Sequence, residues 1–204
     1  MHLTLFHTPN TRSVRVRWLL EELALPYELK IIDLFQGEGN RPEYRSTHPL
    51  GMVPALKVDD DIMFESGAIC QWLADQYPEH GLAPATDSSL RRAYEQWMFF
   101  AVTTLEMPAW EILLHSTILP KIAADQAVQE IIPFATRRYQ EVLGMLDKVM
   151  SDRKYLVNNA FSAADIMSGY TLMWLPDLLE PFPALQAYTG RLFKRRAFLR
   201  AYKV

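Results

Sequence analysis

The period of the apolar positions changes several times along the first eighty residues. Leu3-Thr4-Leu5-Phe6 is a short β-type run. Thr8-Pro9-Asn10-Thr11 carries turn chemistry. Val16, Leu19, Leu20 and Leu23 then recur at helical spacing, with Arg15, Arg17, Glu21 and Glu22 around them, and Pro26 stops that helix. Tyr27 to Ile32 alternates as a second strand. Gln36 to Pro42 is a polar loop. Ala55–Val58 and Ile62–Phe64 flank Asp59-Asp60-Asp61 as a hairpin. Ile69, Trp72, Leu73 and Tyr77 form a helix that ends before Pro78. The order β-α-β, connection, β-β-α predicts a parallel first pair with a right-handed crossover, closed by an antiparallel hairpin. A mixed four-stranded sheet covered by helices is the natural packing.

From about residue 86 no convincing strand remains. Leu90 to His115 reads as one long helix bent near Pro108, and Ile122 to Met150 as another, interrupted or bent at Pro133. Ser162-Ala163-Ala164-Asp165 is a helix-start signature in which hydroxyl and carboxylate each satisfy the other residue's amide; its role is folding, not chemistry. Short helices at Ala184–Phe193 and Phe198–Tyr202 close the chain. The Pro- and Gly-bearing segment 78–86 is the linker. The expected division is an α/β half over residues 1–80 and an all-helical half over residues 86–204.

Half of the 204 residues are apolar, enough for a substantial core. The formal charge of −3 does not suit a nucleic-acid binder. The only cysteine, Cys70, lies in an apolar helix and reads as inert packing; with one cysteine there is neither an intrachain disulfide nor a Cys-x-x-Cys pair. The N-terminal run lacks the pattern of a signal peptide, and no apolar run is long enough to span a membrane. A cytoplasmic protein without metal, nucleic acid or membrane partner is expected.

Two short segments carry the candidate chemistry. Val53 precedes Pro54 and is biased to extended backbone. Nine residues after Pro49–Leu56, Glu65-Ser66 stands at a helix start, with Ser66 read as the N-cap. A helix N-terminus suits a carboxylate, and the adjacent Glu65 suits an ammonium. Extended main chain beside a paired anion and cation site fits a small peptide with a zwitterionic end, which is the chemistry of glutathione.

These residues, in this order and spacing, resemble the glutathione transferase superfamily. Val53-Pro54 after His-Pro-x-Gly, with Glu65-Ser66 opening a helix, is similar to its glutathione-binding half. Ser162-Ala-Ala-Asp165 followed by Pro183-Ala184-Leu185 is similar to its helical half. Thr11-Arg12-Ser13 before Val14-Arg15-Val16-Arg17-Trp18 resembles bacterial and fungal members with Ser or Thr in the active-site loop. The resemblance covers nearly the whole chain. It implies an α/β N-terminal thioredoxin-like domain plus an all-α C-terminal helical bundle, glutathione as co-substrate, a detoxification role and a homodimer. It also implies a cis Val53–Pro54 bond that turns the main chain of Val53 toward the cysteinyl part of glutathione.

With a pKa of about 8.5, a free thiol is only roughly 3% ionised at pH 7. Lowering that pKa by about two units takes about 2.7 kcal/mol. A hydroxyl donating to the sulfur supplies roughly 1.5–3 kcal/mol of it. Ser13 and Thr11 are the candidate hydroxyls, Ser13 being favoured, and Arg12 between them adds fixed positive charge. His7 is a further candidate, although a lone histidine at a strand end is more often structural.

There are departures from the family pattern. Phe6 and His7 stand where tyrosine-type members keep a tyrosine, and the loop has no cysteine. Met52 occupies a position that in many relatives holds a lysine or glutamine, and it cannot pair with the glycyl carboxylate; Arg12 or the Gln36–Asn40 loop would have to. The expected glutathione set is therefore Met52, Val53, Pro54, Glu65 and Ser66, with an apolar electrophile site built from some of Tyr94, Trp97, Met98, Phe99, Phe100, Val102 and Trp110. The leading function is conjugation of the glutathione thiolate to an apolar electrophile. The alternatives are glutathione-dependent reduction of a disulfide or peroxide, or a non-catalytic binding module on the same fold.

Overall fold

The computed structural model describes residues 1–203, so Val204, the last residue of the expected helical half, lies outside the described residues. The chain forms two compact units, one built from residues 1–85 together with 193–203 and the other from residues 86–192. The expected helical half extends to residue 204; the contacts instead place the last segment with the first unit.

In the first unit, β1 (Leu3–His7) is followed by α1 (Ser13–Glu22) and β2 (Glu28–Ile31). A 3-10 turn (Glu38–Asn40) and the short α2 (Pro42–Arg45) occupy the connection, part of which the sequence presented as a polar loop. Then come β3 (Ala55–Val58), β4 (Asp61–Phe64) and α3 (Ser66–Gln76). The strand order is β2-β1-β3-β4. β1 and β2 run parallel, with Leu5 opposite Leu29. β1 and β3 run antiparallel, with Leu5 opposite Leu56, and β3–β4 form the expected hairpin.

Helix α1 departs from the amphipathic reading. Ser13, Val14, Arg15, Val16, Trp18, Leu19 and Leu20 are all buried. The helix packs against the sheet, α3 and the C-terminal α10 (Arg196–Tyr202), so only a narrow strip meets solvent. The rings of Trp18 and Phe198 meet edge to face at 4.8 Å. Arg195 grips the Glu22 carboxylate with two bonds of 2.6 and 2.8 Å, a bidentate geometry that fixes direction as well as charge.

The second unit is helical. α4 (Arg91–Phe100), α5 (Glu106–Leu113) and α6 (Leu119–Ile122) form one run joined by two wide turns, Ala101–Leu105 and Leu114–Ile118. In these turns the amide of Glu106 reaches back to Ala101 and that of Leu119 to Leu114, five residues each. Each wide turn stands shortly before a proline, Pro108 or Pro120. A shifted bonding pattern there accommodates a ring that cannot donate, which is how the expected disturbance at Pro108 is absorbed.

The long α7 (Ile131–Met150) begins two residues before Pro133. Pro133 thus sits in its first turn, where amides have no intrahelical acceptor, and starts the helix rather than interrupting it. α8 (Ala163–Leu172) is buried at every residue, and α9 (Pro183–Leu192) packs on it and on α7. The reciprocal Ser162–Asp165 cap forms at the start of α8. Asp165 does more than cap. Its carboxylate also accepts from the Leu156 amide (3.0 Å) and the Tyr188 hydroxyl (2.8 Å), tying the preceding loop and α9 to one buried group.

Candidate functional site

The site is built in the first unit, where β1 turns into α1 and where β3 and α3 begin. Val53 and Pro54 are joined by a cis peptide bond directly before β3. Val53 is only 8% exposed, yet its backbone N–H and C=O have no hydrogen-bond partner among the described residues. Buried main-chain groups are nearly always paired, so this open pair asks for a ligand. The Tyr44 hydroxyl donates to the Met52 carbonyl at 2.6 Å and fixes the chain just upstream. Gly51 has φ +64°, and a Cβ on it would run into the carbonyl oxygen of Gly39. Arg45 closes the same two loops by donating to the carbonyl of Pro49 (2.7 Å) and to Asn40 Oδ1 (2.8 Å).

α3 begins one residue earlier than the N-cap reading of Ser66 requires. Glu65 is the N-cap and Ser66 the first helical residue, because the Ile69 amide already bonds the Glu65 carbonyl. Glu65 is exposed and has φ 72°, ψ 108°. A non-glycine residue held in such backbone costs on the order of 1–3 kcal/mol and is most often found where a ligand is gripped. Ser66 is buried, and its Oγ accepts from Arg15 Nη1 at 3.2 Å. Arg15 is fully buried. No local signal marks it, because Arg15 sits among Arg17, Glu21 and Glu22 as if on a solvated face. Met52, by contrast, is 55% exposed and leaves that side of Val53 apolar.

In the β1–α1 loop the candidate hydroxyls occupy different environments. Ser13 is completely buried. Its Oγ accepts from the Thr8 amide (3.2 Å) and lies 2.7 Å from His7 Nδ1, 2.8 Å from Thr11 Oγ1 and 3.1 Å from the Thr8 carbonyl. That oxygen presents no surface to a ligand, which runs against the preference for Ser13. Thr11 is partly exposed and donates to the Thr8 carbonyl at 2.7 Å. Arg12, also partly exposed, occupies the N-cap position of α1. Burial drives the pKa of His7 down to about 4, with the Arg17 charge adding to the effect, so its ring is neutral near pH 7. His48, in the segment between α2 and Val53, is also lowered from the ordinary histidine value by burial.

Cys70 is fully buried in α3, and burial pushes its thiol up to about 12. In the helical unit Tyr94, Trp97 and Met98 are core, whereas Phe100, Val102 and Trp110 are half-buried and Phe99 is 64% exposed. Among the described residues no group of three or more His, Cys, Asp or Glu side chains is placed to hold a metal ion, and no helix is long and apolar enough to cross a membrane.

The chain is similar to known proteins over most of its length. The family model for the glutathione S-transferase N-terminal domain matches residues 5–81, and that for the glutathione S-transferase C-terminal domain matches residues 109–196. Glutathione S-transferase GstB of Escherichia coli K12 is 31% identical over 96% of this chain and 95% of its own length. Glutathione S-transferase 3 of Schizosaccharomyces pombe is 30% identical over 80% of this chain and 70% of its own. Among solved structures, the ternary complex of BphK, a bacterial GST, superimposes with a TM-score of 0.86 at 29% identity, covering 98% of this chain and 97% of that one. The glutathione transferase URE2P6 of Phanerochaete chrysosporium, solved with oxidized glutathione, gives 0.87 at 26% identity over 98% and 94%.

Proposed function

Because the chain belongs to the glutathione S-transferase family, we propose that its first unit binds glutathione and that the protein joins the glutathione thiolate to an apolar electrophile. The observation that carries this reading is the open backbone pair of Val53 beside Pro54. The cysteinyl N–H and C=O of the tripeptide pair with it like a short antiparallel strand. The γ-glutamyl carboxylate docks on the first amides of α3 at Ser66, and its ammonium on Glu65. Arg15 behind Ser66 adds buried positive charge to that end.

Thr11 is the hydroxyl that meets the sulfur, because it reaches the surface while Ser13 does not. Arg12 at the start of α1 adds a positive charge to the same loop. Phe100, Val102 and Trp110 offer the apolar surface a small electrophile needs. The exposed apolar side chains Leu50 (69%) and, on β4, Ile62 (39%) and Phe64 (45%) support self-association as a homodimer. Sedimentation velocity tests that assembly. Cytoplasmic residence is part of the same reading, in keeping with a lone reduced cysteine.

The test is conjugation of glutathione to a chloro-dinitrobenzene-type substrate, with calorimetry of glutathione binding beside it. Loss of one charge-assisted hydrogen bond, about 1.5–3 kcal/mol, predicts that Thr11→Ala lowers kcat/KM by roughly 10- to 150-fold while glutathione still binds. No heat of binding at millimolar glutathione refutes the proposal outright. Unchanged turnover in Thr11→Ala refutes the role of the hydroxyl.

A further inference from the structure

We propose that His7 is a positioning residue: its Nδ1–H donates to Ser13 and sets the direction of a hydroxyl chain that ends with the Thr11 proton facing the bound thiolate. The proposal rests on the reading of Thr11 just given, and deepens it.

The argument is a valence count on Ser13 Oγ. A serine oxygen has one proton and two lone pairs. The Thr8 amide already takes one lone pair. The other can accept from His7 Nδ1, at 2.7 Å, or from Thr11, at 2.8 Å, but not from both.

If Nδ1 carries the histidine proton, both lone pairs are filled. Thr11 then cannot donate to Ser13. The Ser13 proton then has Thr11 Oγ1 at 2.8 Å and the Thr8 carbonyl at 3.1 Å as acceptors, and the shorter contact is to Thr11; the Thr11 proton points to the Thr8 carbonyl in the free protein and to the sulfur when glutathione is bound. If Nε2 carries it instead, Ser13 donates to His7 and offers its remaining lone pair to Thr11. Ser13 then competes with the ligand for the Thr11 proton.

Burial decides between the two tautomers. His7 is 1% exposed, and its Nε2 has no hydrogen-bond partner among the described residues. A proton there would find no protein acceptor on a ring that is almost wholly buried, which is costlier than an unused acceptor lone pair. The proton therefore belongs on Nδ1. The ring stays neutral near pH 7, so it acts as a fixed donor and not as a base. Accepting from Ser13 also polarises the Thr11 hydroxyl and strengthens its own donation. The catalytic contact stays with Thr11, while Ser13 and His7 act through it.

The test is the pKa of the glutathione thiol in the complex, read from thiolate ultraviolet absorbance against pH. His7→Leu is expected to raise it by about one unit, a tenfold loss of thiolate below that pKa. His7→Asn, whose amide N–H can stand in for Nδ1–H, is expected to keep the wild-type value. In a Thr11→Ala background, His7→Leu is expected to add no further shift, since the two act in series. Nitrogen-15 NMR of the unmodified protein reads the tautomer without any substitution, and a proton on Nε2 overturns the proposal. So does an unmoved thiol pKa in His7→Leu with glutathione bound, or an equal shift in the Thr11→Ala background. If the wild type binds glutathione but forms no thiolate, the Thr11 reading falls with it. If thiolate forms and only the His7 variants are silent, this proposal alone falls.

Discussion

Replacing Asp165 by alanine should be among the most damaging single changes in the helical unit. The carboxylate is buried and accepts four hydrogen bonds, from the amides of Leu156 (3.0 Å) and Ser162 (2.9 Å) and from the hydroxyls of Tyr188 (2.8 Å) and Ser162 (3.1 Å). Alanine removes every acceptor at once. The Ser162 hydroxyl can rotate to another partner, but the two amides and the Tyr188 hydroxyl are held by their elements. An unsatisfied buried donor costs about 1–3 kcal/mol. Three of them, less some relaxation and the relief of burying a charge, give about 3–5 kcal/mol. That is a large share of the roughly 5–15 kcal/mol that keeps a typical domain folded. Ser162→Ala removes only the hydroxyl side of the cap and should cost about 0.5–2 kcal/mol. Tyr188→Phe removes one donor and leaves the carboxylate three others, at about 0.5–1.5 kcal/mol. Urea denaturation followed by circular dichroism ranks the three variants. If Asp165→Ala costs no more than Ser162→Ala, the carboxylate is a simple cap, and the reasoning that makes it a hub is wrong.

A pH titration gives a second expectation. The pKa of His7 is about 4 in the folded protein against 6.5 unfolded, so between those values the unfolded chain binds a proton that the folded one does not. Stability contributed at His7 is therefore complete above pH 6.5 and is lost as pH falls toward 4, by roughly 3 kcal/mol in all. Burial raises Asp165 to about 6, which acts in the opposite sense, so the measurement is the difference in denaturation midpoint between wild type and His7→Asn across that range. Gly51→Ala should cost about 2–4 kcal/mol and weaken glutathione binding at Val53, since φ is +64° and the new methyl would meet the Gly39 carbonyl; thermal melting and calorimetry check both. Cys70 should resist a thiol-specific disulfide reagent in the native protein and react fully once denatured; rapid native labelling would contradict its burial.

Local signals carried much of this molecule. Turn residues and the change from alternating to helical spacing marked all four strands, and the parallel pairing of β1 with β2 follows from the short αβ crossover. The Ser162–Asp165 cap depends on neighbours in sequence and could be read directly, and Glu65-Ser66 could be placed at a helix start, though one residue off. Helix starts were less legible. Pro133 reads as a breaker wherever the helix start is unknown, and two wide turns before prolines leave no residue pattern of their own.

Long-range packing decided the rest. Ser13 and Thr11 are two residues apart and chemically alike, yet folding Thr8 and His7 against the loop closes one and leaves the other open. Arg15 has the sequence surroundings of a surface charge, and becomes a buried partner of Ser66 because α1 is covered by the sheet, α3 and α10. The closing helix returns to the first unit through Phe198 on Trp18 and Arg195 on Glu22, contacts that span more than 170 residues. Sequence determined which groups are candidates to bind a thiol tripeptide, since that depends on residue type and local backbone. Tertiary structure decided which of them reach the surface, since exposure depends on what the rest of the chain lays on top.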